Sequence, residues 1–197
     1  SVVNAARVSF AKENKEFQVV DDSRLIRYLA KHNHWSPFGH ASLQFHVTAP
    51  VFVARQLVKH QVGLVWNEVS RRYVDSEPEF HFVEEWRGSP DNKKQGSSDE
   101  VIDISTHIQE DYINMCTYTY RYLLDKGVCP EQARMVLPQS MMTEWYWSGT
   151  LMAFARVCNL RCKEDAQKET QDIAYSIDSL CRTQFPVSWN ALRNMPT

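Results

Sequence analysis

The chain alternates between two periodicities, and the switches between them outline its elements. Leu25, Ile26, Tyr28 and Leu29 in DDSRLIRYLAKH share one helical face, with Asp21, Asp22 or Ser23 placed to cap the start. HNHWSPFGH follows as a turn-rich stretch, with Ser36-Pro37 in the order expected at a helix start. In SLQFHVTAPV the apolar residues Leu43, Phe45 and Val47 alternate with polar ones, which predicts a strand ending at Pro50. FVARQLVKHQ returns to helical spacing: Ala54, Leu57 and Val58 should face inward, while Gln56, Lys59 and His60 share another face.

Residues 74–100 carry Pro78, Gly88, Pro90 and Gly96, and include DNKKQGSSDE, which reads as a mobile surface connection. From Val101 to Lys126 a helical period runs for about seven turns, with Ile108, Tyr112, Met115, Tyr122 and Leu123 among its apolar positions and Gly127 as its stop. PEQARMVLP is a short helix between Pro130 and Pro138, and MMTEWYWSG is compatible with a strand. TLMAFARVCNLR and EDAQKETQDIAYSIDSLCRTQF form two further amphipathic helices. A mainly helical chain with a few segregated strands, without repeats or an obvious linker, predicts one α+β domain over 1–197 with a small mixed or antiparallel sheet.

Composition changes this picture little. At 43% hydrophobic and 23% charged, the 197 residues are those of an ordinary globular chain able to bury a core. A net charge of -2 gives no global attraction to nucleic acid or a membrane surface, so any basic site must be a local patch. No apolar run approaches the roughly 20 residues of a membrane span and no signal peptide is visible, so a cytoplasmic location is expected. The opening SVVNAARVSF reads as the middle of an element, and the natural start is expected upstream. Cys116, Cys129, Cys158, Cys162 and Cys181 contain no CxxC pair, and buried or partly buried free thiols are expected.

The candidate chemistry begins with anion binding. Arg72, Arg134 and Arg161, with Lys59 and Arg71, could hold phosphate, because guanidinium forks match its oxygens and stay charged. Any one of them alone is more simply a surface residue paired with a carboxylate. Arg134 and Arg161 stand out because their segments are rich in Ala, Val, Leu and Met, where an inward-facing arginine needs a partner. His32, His34 and His40 lack an obvious fourth ligand, so no metal is expected. His60 is either a satisfied helix histidine or a cofactor contact. Ser70 lacks a nucleophile elbow, and neither a dinucleotide fingerprint nor a P-loop is present.

Six strings stand in order: AARVSF, KHNHWSPFGH, FHVTAPVFVARQ, KHQVGLVWNEVSRRY, ARMVLP and NLR. With them the chain resembles ThyX, the flavin-dependent thymidylate synthase family. The resemblance covers nearly the whole chain and is weakest between Glu79 and Val101. It implies reductive methylation of dUMP to dTMP, with 5,10-methylenetetrahydrofolate as carbon donor and FAD, reduced by NADPH, as hydride carrier. It also implies a homotetramer with sites shared between subunits, and no catalytic cysteine. Carried over by position, Gln56, Lys59, Glu68, Ser70, Arg71, Arg72, Arg134 and Arg161 would bind dUMP. Glu68, Ser70 and Arg161 would be the catalytic members, orienting and polarising the uracil ring, with Ser70 a positioner rather than a covalent nucleophile. His34, Ser36, Lys59, His60, Gln61 and Arg156 would meet FAD.

The chain departs from the family pattern in one place above all. Where the family has R-H-R, seven residues and Ser, this chain has Lys59-His60-Gln61 and eight residues before Ser70, the extra one expected as a bulge or longer turn around Gly63 and Trp66. Lys59 keeps a charge without a planar fork, and Gln61 keeps hydrogen bonding without the charge. Thr150, Met152 and Asp165 stand where the family usually has an Asn-x-Arg pair and a histidine, and Arg156 would restore one charge. Against an active enzyme stands a nucleotide-binding module of the same fold with lost or weakened catalysis. A flavoprotein acting on a different pyrimidine nucleotide is a third reading.

Overall fold

The chain is described from a computed structural model covering residues 1–12, 16–91 and 96–193. Its elements in order are α1 (Val2–Arg7), α2 (Val19–Lys31), β1 (Ser42–Pro50), α3 (Val51–Leu57), β2 (Leu64–Glu68), β3 (Trp86–Arg87), β4 (Val101–Ile102), α4 (His107–Asp125), α5 (Pro130–Ala133), β5 (Met142–Thr150), α6 (Leu151–Arg161), α7 (Lys168–Gln184) and α8 (Pro186–Arg193). Short 3₁₀ turns lie at Val8–Phe10, Ser36–His40 and Arg134–Val136. The α+β expectation holds, with the strand order β1-β5-β2 in one sheet and an antiparallel β3-β4 pair in register Trp86 to Ile102 and Arg87 to Val101. Contacts divide the chain into two compact units, with boundaries falling inside β1, β2 and β5.

The first unit holds Ser1–Phe45, His60–Val65 and the chain from Trp147 onward. Its core is made where α6 packs on α7 and α8, and α2 packs on α8. Leu151, Phe154, Val157, Trp189 and Leu192 are fully buried there, and Phe154 meets Trp147 and Phe45 edge to face. A polar clasp ties the last three helices together. Asp178 of α7 accepts from Arg182 Nη2 at 2.9 Å, from Trp189 Nε1 at 2.9 Å and from Arg193 Nε at 2.6 Å, and Arg193 also bonds Asn159 of α6. At the other end of the unit the buried Asp22 pairs with Arg7 at 2.6 Å.

The second unit, His46–Lys59 and Trp66–Tyr146, contains α3, α4 and α5. Val53, Ala54 and Leu57 of α3 are buried, as are Ile113, Cys116 and Tyr120 of α4. Along β5 the period of two is plain: Thr143, Trp145 and Trp147 are buried while Glu144 and Tyr146 are exposed.

Several expectations shift. The helix expected to be capped within Asp21–Ser23 starts at Val19, and the Asp22 carboxylate instead takes the Gln18 N–H at 2.8 Å from inside the first turns. The long helix begins at His107, not Val101, because Val101 and Ile102 pair with Trp86 and Arg87 and the Ser105 hydroxyl accepts the His107 N–H. It does end at Gly127, whose N–H bonds Leu124 O. Ile108, Tyr112, Met115 and Tyr122, named among its apolar positions, are half or more exposed, since this helix carries apolar residues on more than one face. Helix α3 stops at Leu57, so Lys59 and His60 lie beyond it and do not share its face with Gln56. The expected mobile connection at 91–100 falls partly outside the described residues.

Candidate functional site

In the second unit the polar string after β2 is held by its own side chains. Glu68 closes the strand, and both carboxylate oxygens are engaged: Thr143 Oγ1 donates to Oε1 at 2.8 Å and Trp66 Nε1 donates to Oε2 at 3.1 Å. Trp66 is itself fixed by stacking on the buried Trp145, ring centroids 4.2 Å apart. The Val69 N–H bonds Glu144 O at 3.0 Å, which carries the strand's path as far as Ser70. A turn follows, with the Tyr73 and Val74 N–H groups bonded to Ser70 O.

Ser70 Oγ accepts from Arg72 Nε at 3.2 Å and from the Arg72 N–H at 3.4 Å. Among the described residues no histidine or carboxylate bonds this hydroxyl, which suits a positioner rather than an activated nucleophile. The Arg72 guanidinium lies over the Tyr73 ring at 5.0 Å. The backbone N–H groups of Arg72 and Tyr73 are turned onto Ser70 itself. The Arg71 guanidinium straps the following loop by donating to the carbonyls of Ser76 and Glu77. Arg134 is exposed and donates Nε to Glu131 O at 3.2 Å. Gln56 is half-buried and Lys59 exposed.

In the first unit, His34 and Ser36 are exposed beside the 3₁₀ turn whose Pro37 and Phe38 are buried. They line a pocket of about 820 Å³ that also includes Tyr28, Asn33 and Trp35. Tyr28 and His34 meet edge to face, and Tyr28 and His32 lie 4.3 Å apart. His60 is half-buried, and its Nε2 accepts from Arg161 Nε at 3.0 Å. Burial and the neighbouring Arg161 charge push His60 below its ordinary pKa, and burial lowers Arg161. The Gln61 carbonyl accepts from the Leu64 N–H across a turn with Gly63 at φ +75°, so the break in regular structure sits at Gly63, while Trp66 lies within regular β2. Arg156 is exposed on α6. The position expected to replace a family Asn is a helix cap: Thr150 Oγ1 accepts the Ala153 N–H at 3.1 Å.

The five cysteines are free thiols, and Cys129 departs from expectation by being exposed. Among the described residues no group of three or more His, Cys, Asp or Glu could hold a metal ion. Thr143 and Trp66 were not singled out by the sequence as partners of Glu68. Trp66, two residues away on the same strand, carried a signal in its spacing; Thr143, 75 positions distant, carried none.

Fold and side chains together define a class: an α+β chain in which a fixed carboxylate, a hydroxyl and a guanidinium stand close together after β2. The model of the Thy1 family, "Thymidylate synthase complementing protein", matches residues 1–187. A flavin-dependent thymidylate synthase of Thermus thermophilus is 38% identical over 192 residues, 97% of this chain and 70% of that protein. One from Kosmotoga olearia is 36% identical over 198 residues, 98% of this chain and 85% of that protein. Among solved structures, the UMP/dUMP methylase PolB of Streptomyces cacaoi, bound with 5-Br dUMP, superposes with a TM-score of 0.83 at 28% identity, over 98% of this chain and 89% of that one. The chain belongs to the flavin-dependent thymidylate synthase family.

Proposed function

We propose that this chain reductively methylates dUMP to dTMP, taking its carbon from 5,10-methylenetetrahydrofolate. The observation that carries the proposal is the hold on Glu68. A carboxylate with one donor on each oxygen, beside a serine and a guanidinium bonded to each other, is preorganised to orient and polarise a pyrimidine ring. Gln56, Lys59, Arg72 and Arg134, with Arg161, supply further groups for the nucleotide. Arg71, which straps the following loop, would add a further guanidinium beside them.

The residues present fit a flavin. Tyr28, Trp35 and His34 around a pocket of about 820 Å³ suit a planar heteroaromatic group, and Asn33 and Ser36 add hydrogen-bonding groups. FAD, reduced by NADPH, supplies the hydride when bound. His34 and Ser36 would hold it, with His60, Gln61 and Arg156 as further contacts and Lys59 supplying a charge. The chain's own part is to seat the ring and keep the nucleotide's reacting carbon oriented.

A homotetramer completing its sites between subunits is part of the proposal. It is supported by the large exposed apolar side chains of α4, Ile108, Tyr112, Met115 and Tyr122, at spacings of four, three and seven residues. Cytoplasmic location is likewise proposed; no described helix is long and apolar enough to cross a membrane. The competing reading, a nucleotide-binding module with weakened catalysis, is favoured by Lys59 and Gln61 standing in the R-H-R positions.

Anaerobic NADPH oxidation with FAD, methylenetetrahydrofolate and dUMP, followed by analysis for thymidylate, tests the activity; UMP serves as a second substrate. Thymidylate formed only with all components supports the enzyme. Nucleotide binding without a flavin spectrum or turnover would establish the binding module instead. Light scattering after size exclusion tests the tetramer.

A further inference from the structure

The half-buried Arg161 ends α6, and its described partner is not a carboxylate but an imidazole. A guanidinium withdrawn from water ordinarily sits against an acid, which cancels its charge toward other ligands. His60 does something different. An imidazole nitrogen that accepts a hydrogen bond must be unprotonated, so the bond of 3.0 Å from Arg161 Nε fixes the proton on Nδ1. Among the described residues no carboxylate pairs with this guanidinium, which the imidazole holds at Nε. Among the described residues, the charged group acting on His60 is Arg161 of α6.

We infer that His60 is the positioning residue of Arg161, its neutral ring anchoring Nε so that the terminal nitrogens can fork onto the nucleotide. The inference rests on the proposed place of Arg161 in the nucleotide site. An arginine side chain loses rotamer freedom when fixed, and an anchor that meets part of this loss beforehand tightens binding. Protonating His60 would put two cations 3.0 Å apart and remove the acceptor. Burial and Arg161 already oppose that protonation, so the neutral form prevails at neutral pH.

The test is dUMP affinity of the purified chain with FAD, measured for the native protein, His60→Ala, His60→Gln, Arg161→Ala and the double variant His60→Ala/Arg161→Ala. His60→Ala should weaken binding about tenfold. His60→Gln, whose amide oxygen can accept from Nε, should recover most of that loss. In the Arg161→Ala background, His60→Ala should add nothing further. On acidification from about pH 8 to about pH 5, the native protein should lose affinity more steeply than His60→Gln. The phosphate's own ionisation is common to both and cancels. Identical behaviour of the Ala and Gln variants, or additive losses in the double variant, overturns the inference. Should Arg161→Ala weaken binding while His60→Ala does not, the inference alone falls. If Arg161→Ala changes nothing, the nucleotide assignment falls with it.

Discussion

Removing the Asp178 carboxylate should cost the chain about 3 kcal/mol of stability, worked from its three donors in turn. The indole Nε1 of fully buried Trp189 loses its acceptor at 2.9 Å, and a buried donor left unsatisfied costs about 1–3 kcal/mol. Arg193, 18% exposed, loses its carboxylate at 2.6 Å but keeps Asn159 and some water, for roughly 1–2 kcal/mol. Arg182, 49% exposed, loses little, on the order of 0.3 kcal/mol. For a chain of this size Asp178→Ala should therefore lower Tm by roughly 6–12 °C. Asp178→Asn, which keeps an acceptor without charge, should fall between. Urea denaturation followed by circular dichroism gives the free energies.

The acid limb supplies an independent check. Burial alone would raise the Asp178 carboxyl, but hydrogen bonds from Arg182, Trp189 and Arg193 outweigh it and hold the group below its ordinary value. A depressed carboxylate contributes stability that is complete above its unfolded value and lost as pH falls through the folded one. The gap between native and Asp178→Ala should thus be full at neutral pH and narrow as pH falls below about 4. A loss under about 1 kcal/mol, or a gap that stays constant into acid, would refute the account of the clasp.

Other perturbations probe the site and its frame. Thr143→Val removes the donor to Glu68 Oε1 at little cost in shape, and should weaken dUMP binding by about 1 kcal/mol, read by calorimetry. Gly149→Ala would place a Cβ 2.5 Å from Gly63 O, so about 2 kcal/mol or more of stability should be lost in thermal denaturation. Gln61→Arg should raise flavin retained through purification, measured from the visible spectrum, if residue 61 meets the cofactor; Gln61 is exposed and a longer side chain has room.

Strands with a long enough period were legible. β1 announced itself because Leu43, Phe45 and Val47 alternate with polar positions, while the aromatic run of β5 was compatible with a strand. β3 and β4 did not, since a two-residue strand has no period and exists only through its partner across a loop. The inward face of α4 was illegible for a different reason: Ile108, Tyr112 and Met115 are as apolar as Ile113 and Cys116, and only tertiary packing chooses between them. In the site, Glu68, Ser70 and Arg72 could be found together because they are nearly contiguous. Which of two adjacent arginines straps the loop depends on how the turn after Ser70 closes, and composition is silent on that. The His60–Arg161 bond spans 101 positions, and neither residue type announces the other.

The pairing of Trp66 with Glu68 also makes the site visible. An indole whose N–H is held by a carboxylate, with its face stacked on a second indole, emits in a setting unlike that of a solvated tryptophan. A nucleotide that draws Glu68 toward itself must loosen that N–H, and the emission of Trp66 should shift in step. The chain would report its own ligand without a label, at the carboxylate proposed to polarise the ring. Trp66→Phe would keep much of the stacking and silence the signal.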